Sequence, residues 1–162
     1  MPKLFRLEKD SAQVKFPPPL VYLGFLLSGL LLDQLSGRVP EFIPVSPWIM
    51  VAGGVAILAG FCIMIAGTSR FRKLGNNLEP WKHANQIVNS GIYRFTRNPM
   101  YLGMALTALG LALLLRSSWA VILLPVALLV IRTQVIAREE SYLAAKFGDE
   151  YLTYKAKVRR WI

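Results

Sequence analysis

Long stretches without charge alternate along the chain with short stretches crowded by it, and the uncharged stretches have the length of membrane-crossing helices. Phe16 to Leu32 carries no charged residue, and Pro17, Pro18 and Pro19 stand at its start, where a missing backbone N–H costs least. Trp48 to Ser69 runs 22 residues without a charge, about 33 Å as a helix against a hydrocarbon core of roughly 30 Å. Asn98 to Leu115 gives 18 such residues and Ser117 to Ile131 gives 15, parted only by Arg116, so the pair reads as a helical hairpin turning at Arg116, Ser117 and Ser118. The pattern predicts an all-α integral membrane bundle in a single domain over 1–162, with spans at 16–35, 48–69, 98–115 and 117–136. Pro125 predicts a bend in the fourth span. Beyond it, Leu143, Phe147, Tyr151 and Tyr154 recur at helical spacing, which predicts an amphipathic helix over 137–162 lying on the membrane, with Gly148 as a bend and Trp161 as an interface marker.

Composition agrees with that solvent: 54% of the 162 residues are hydrophobic and only 17% charged. Nineteen Lys and Arg against nine Asp and Glu leave a net charge of +10, which in a soluble chain would suggest nucleic acid. Here the cations sort by segment. Seventeen of the nineteen fall in 1–15, in the loop 70–97 or in 132–162, leaving Arg38 and Arg116 on the other side, so the positive-inside rule predicts both termini and the central loop in the cytosol. The first sixteen residues carry both signs of charge with no small-residue cleavage site after them, so the first span is expected to remain as an anchor. Gly53, Gly60 and Gly67, seven residues apart, predict a smooth stripe on the second span where another helix can come close.

Several chemistries fall away. Cys62 is the only cysteine and His83 the only histidine, without HExxH spacing, so no metal site is expected. The hydrolase elbow GxSxG, the GxxxxGK[ST] phosphate loop and a strand-linked GxGxxG are absent from the sequence. Two constellations remain. The first is GIYRFTRNPMYLG, Gly91 to Gly103, in which Pro99 suits the first turn of the third helix and Asn98 stands before it as a cap. Arg97, Asn98 and Tyr101 would then gather at a helix N-terminus, a place that favours a carboxylate ligand. The second is the run from Arg138 to Ile162, where Glu139 and Glu140 emerge as the fourth helix leaves the bilayer. Carboxylates at that depth need a partner, and a ligand or one of Arg94, Arg97 and Arg138 could supply it.

Taken together, Ile87-Val88, Ser90-Gly91-Ile92-Tyr93, Arg97 to Gly103, Glu139-Glu140, Leu143, Phe147-Gly148, Glu150-Tyr151 and Tyr154 resemble the isoprenylcysteine carboxyl methyltransferase and phospholipid methyltransferase superfamily of membrane enzymes. The resemblance covers about residues 75 to 162. It implies S-adenosylmethionine as methyl donor, bound at the cytosolic end of the last helices without a Rossmann fold, and an acceptor arriving from the lipid. By position it implies that Asn85, Gln86, Ile87 and Val88 contact the cofactor largely through backbone, and that Tyr93 lines the same pocket. Arg97, Asn98, Pro99, Met100 and Tyr101 would hold its amino-acid end, and Glu139 its polar groups. The superfamily's usual Arg-His-Pro is here Arg97-Asn98-Pro99, and Val135 stands where prenylcysteine-methylating members carry an Arg, with Arg132 one turn earlier. Glu140 and Arg132 are expected nearest the acceptor, Glu140 orienting or deprotonating it and Arg132 pairing with an acidic group.

The function expected is therefore methyl transfer to a lipophilic acceptor, an isoprenylcysteine carboxylate or another lipid or thiol, in a bacterial inner (plasma) membrane, with no nucleic acid and no metal. The alternative from another class is a non-catalytic small membrane protein that binds lipid or a partner helix through the glycine stripe and the basic face.

Overall fold

A computed structural model describes residues 9–14, 16–37 and 40–161. Lys3, Arg6, Lys15 and Arg38, four of the cations that orient the chain, lie outside the described residues. Those described form helices and connecting segments, without a strand: α1 (Pro18–Leu35), α2 (Pro47–Lys73), a 3₁₀ turn (Gly91–Arg94), α3 (Pro99–Leu114), α4 (Ser118–Val130), a π-helical turn (Ile131–Ile136), α5 (Ala137–Phe147) and α6 (Asp149–Lys157). Pro18–Leu35, Pro47–Lys73 and the continuous Ser118–Phe147 are long and apolar enough to cross a membrane, and Pro99–Leu114 is a shorter apolar helix. Leu27, Leu31, Val55, Leu58 and Ile65 lie exposed on the outside of this bundle, a distribution suited to lipid rather than water.

Glycine decides how α2 and α3 meet. Gly53, Gly60 and Gly67 are the buried residues of α2, and α3 answers with Gly103 and Gly110, also seven apart. A methyl group added at Gly53 would meet the Gly110 carbonyl oxygen at 3.0 Å, one at Gly60 the Gly103 oxygen at 2.6 Å, and one at Gly67 the Pro99 ring at 3.3 Å. The two helices therefore run antiparallel with backbones in contact, as the stripe predicts, and the stripe is filled from within the chain. That pairing carries Pro99, and with it the start of α3, to the basic end of α2.

The hairpin turn falls at the expected residues. Arg116 adopts a left-handed conformation, φ +52°, and Ser117 caps α4 by accepting the Ala120 N–H at 3.1 Å. Buried Asp33 of α1 accepts the Ser117 hydroxyl, so the charge has a partner at the end opposite the basic one.

Two expectations need correction. The fourth apolar run is the shorter by sequence, yet it belongs to the longest helix, 30 residues, because Arg132, and then Arg138, Glu139 and Glu140, interrupt the apolar run without ending the helix. The expected interfacial segment over 137–162 parts at Gly148, φ +53°, the residue expected to bend it, but its first half, α5, continues the fourth span instead of lying apart from it, while α6 packs over the 3₁₀ turn through a Tyr154 hydroxyl bond of 2.8 Å to the Tyr93 carbonyl. The wider π turn places Ile131, Val135 and Ile136 together in the core against Tyr22, Tyr101 and Ala127, and leaves Arg132 outside.

Candidate functional site

The elements converge at the basic end on a cleft, partly open to solvent and lined from the loop after α2, the 3₁₀ turn, the first turn of α3, and helices α5 and α6. The loop is held by one buried side chain. Asn76 accepts the backbone N–H groups of Asn85 at 2.7 Å and Gln86 at 3.2 Å and donates its amide to the Gln86 carbonyl at 2.9 Å. Ile87 and Val88 are thereby delivered, buried, to the cleft wall.

Opposite that wall Tyr101, in the first turn of α3, donates its hydroxyl to Glu139 of α5 at 2.5 Å. The pair exists because α3 is set by the glycine contacts and α5 by the π turn. A second hydroxyl, from Tyr22 of α1, braces the site by donating to the Tyr101 carbonyl at 3.2 Å. Tyr93, on the 3₁₀ turn, is buried against Phe71 with ring centroids 5.9 Å apart. Burial, reinforced by the Glu139 charge, pushes its phenol well above the ordinary range, so it stays a neutral donor. Its hydroxyl is buried with no hydrogen-bond partner among the described residues, as is the Arg97 Nε. Both residues line the cleft.

Glu140, one residue on, does different work. Its carboxylate takes Arg160 in a two-pronged contact at 2.8 and 2.9 Å, Arg97 at 3.2 Å and Lys155 at 3.3 Å. The Arg160 carbonyl in turn accepts from the Thr96 hydroxyl at 3.1 Å and the Asn98 amide at 3.0 Å. Segment 158–161 is thus tied across the start of α3. Tyr151 reaches the same knot, with Arg97 at 3.4 Å from its hydroxyl, and burial pushes its phenol up to about 12. Arg160→Ala is expected to remove about 2 kcal/mol of stability, since charge-assisted bonds to a buried carboxylate are lost. Thermal unfolding in detergent should show a fall in Tm of roughly 5 °C, with Arg160→Lys recovering only part because ammonium lacks the fork.

Most of the residues expected from sequence meet here. Gln86, Ile87, Val88 and Tyr93 line the cleft from one side. Arg97, Asn98, Pro99, Met100 and Tyr101 line it from α3, and Glu139 and Glu140 from α5. Asn85 is not among the lining residues; its side-chain amide donates to the Gly75 carbonyl and so folds the loop. Arg132 is exposed on the π turn and does not line the cleft, because that turn rotates it away from the face that Ile131 and Val135 bury. Asn98 makes no cap; its side chain holds the tail instead. With three cations on its oxygens, Glu140 is arranged as an anchor rather than as a base. Sequence reasoning missed Asn76, and it weighed His83 only as a metal ligand, whereas His83 lines the cleft. Neither Asn76 nor His83 carries a spacing signal, since both act through loop geometry.

Comparison with known proteins matches the phospholipid methyltransferase family over residues 48–150, well over half of the chain. The chain belongs to that family. Family membership and the long apolar helices make it an integral membrane protein. An uncharacterized protein of Haemophilus influenzae is 51% identical over 63 residues, 39% of this chain and all of that one. Protein-S-isoprenylcysteine O-methyltransferase of Schizosaccharomyces pombe is 39% identical over 72 residues, 44% of this chain and 30% of that protein. Its namesake in Xenopus laevis is 30% identical over 115 residues, 68% of this chain and 39% of that protein. The chain thus spans about a third of the length of these isoprenylcysteine relatives. No solved structure gives a significant match.

Proposed function

We propose that this family member is an S-adenosylmethionine-dependent methyltransferase acting on a lipophilic acceptor that reaches the cleft from the bilayer. The observation that carries the reading is the Tyr101–Glu139 pair facing a cleft at the head of a membrane bundle. The residues fit the cofactor. Glu139 is a carboxylate suited to an ammonium or ribose hydroxyls, and the partnerless Tyr93 hydroxyl and Arg97 Nε are buried donors for its polar groups. Ile87, Val88 and Met100 add an apolar lining.

When bound, S-adenosylmethionine supplies an electrophilic methyl group on a sulfonium. The chain's part is to hold, align and dry. Tyr101 fixes the Glu139 carboxylate, α6 borders the cleft through Tyr151 and Tyr154, and Arg97 is held in place by Glu140. Methyl transfer needs an aligned nucleophile and exclusion of water more than it needs an acid or base. The relatives' names point to an isoprenylcysteine carboxylate as one acceptor class. Val135 is buried and Arg132 lies outside the cleft, so in this reading Arg97 and not the fourth span offers the cation nearest an acidic acceptor. By the positive-inside rule the cleft faces the cytosol of a bacterial inner membrane, with both termini on that side.

Calorimetric titration of the purified protein with S-adenosylhomocysteine tests this. Binding on the micromolar scale is expected, weakened roughly tenfold in Tyr101→Phe, which loses one charge-assisted hydrogen bond worth about 1.5 kcal/mol. A folded wild-type protein that binds none would overturn the proposal.

A further inference from the structure

Two separate segments close the cleft on the α5 side, and both are tied to one hydroxyl. Residues 9–14, ahead of α1, run past α5 with Ala12 and Val14 buried and Ala12 lining the cleft. The loop after α2 brings Ala84 to the same wall. Tyr142 of α5 stands between them: its hydroxyl accepts the Ala84 N–H at 3.1 Å and donates to the Asp10 carbonyl at 3.2 Å. Lys146, one turn on, donates to the same oxygen at 3.0 Å, lies 5.4 Å from the ring centroid, and pairs with the Asp10 carboxylate. A phenol has one proton and two acceptor sites, and Tyr142 uses all three. The Tyr142 hydroxyl is thus bonded to both segments at once.

We propose that Tyr142 is the latch of the cleft: its hydroxyl couples the strap 9–14 to the loop 82–88, so that the two open together and set how fast a bound cofactor can leave. The gate resting on cofactor exchange depends on the methyltransferase reading; the coupling of the two segments does not. Tyr142 is a positioning residue, since it acts through Ala84 and Asp10 rather than on a reacting group. Its ring also lines the cleft, and phenylalanine keeps that ring. Lys146 holds only the strap side, through Asp10 and the phenol oxygen.

Hydrogen–deuterium exchange of the detergent-solubilised chain separates these roles without any ligand. In Tyr142→Phe, amides of 9–14 and of 82–88 should both exchange roughly tenfold faster, while the α2–α3 pair keeps wild-type protection as the control for folding. Lys146→Met should speed 9–14 and leave 82–88 within about twofold. Wild-type exchange in Tyr142→Phe, or acceleration of one segment only, would overturn the latch. In parallel, the dissociation rate of S-adenosylhomocysteine should rise roughly tenfold in Tyr142→Phe. An unchanged rate with both segments loosened would overturn the gate. Absence of binding in the wild type with both segments loosened would leave the latch standing and remove the cofactor reading instead.

Discussion

Glu139→Ala is expected to lower the affinity for S-adenosylhomocysteine at least a hundredfold while the protein still folds. Glu139 holds the Tyr101 hydroxyl at 2.5 Å and is a cleft carboxylate engaged neither by the Arg97–Lys155–Arg160 knot, as Glu140 is, nor by Lys82, as Glu79 is. Removing it takes away the anion that would meet the cofactor's polar groups and leaves a buried phenol without its acceptor. Each charge-assisted bond is worth about 1.5 to 3 kcal/mol, and two of them convert to roughly a hundredfold or more. Glu139→Gln keeps the shape and loses the charge, so a smaller loss of roughly tenfold is expected. Calorimetric titration of the three proteins measures the series; wild-type affinity in Glu139→Ala would sink the assignment of this carboxylate.

Gly60→Val should do the opposite, abolishing the folded bundle rather than the ligand. A side chain at Gly60 would begin 2.6 Å from the Gly103 carbonyl oxygen and closer still to the Thr107 hydroxyl, and the first of these is backbone with nowhere to move. Separating α2 from α3 to relieve it would also open the Gly53 and Gly67 contacts and pull Pro99 from the basic end. Overpacking of this kind costs about 3 kcal/mol, and for a helix pair held by close approach the loss should show as failed purification or aggregation. Gly54 lies on the same helix with open space around it, so Gly54→Ala is the matched control and should leave Tm unchanged. A Gly60→Val protein with wild-type Tm would mean that the helices meet in some other way.

Much of the site was legible because its residues sit close together in the chain. Arg97 to Tyr101 occupy consecutive positions at a helix start, and Pro99 marks that start by itself. The need of Glu139 and Glu140 for partners also follows from their depth. Which partner each takes does not, since adjacent residues on a helix point about 100° apart and only the neighbouring elements say what lies in each direction. Arg160, 20 residues beyond Glu140, gives no periodic signal of its contact. Arg132 lies off the cleft for a related reason: the π turn between it and Glu139 changes the face that α-helical spacing alone would give it.

What the sequence determined by itself is the solvent, the helical class, the glycine stripe and the motif at the start of α3, all of which depend on local pattern or on composition. The tertiary structure alone decided that α3 fills the stripe, that the fourth apolar run continues into α5, that Gly148 folds α6 over the 3₁₀ turn, and that Tyr142 stands between strap and loop. The physical reason is one of range. Hydropathy and caps act within a few residues, whereas a hydroxyl or guanidinium here finds its partner 20 to 79 positions away, as Arg160 does with Glu140 and Tyr22 with Tyr101, through a path that only packing defines.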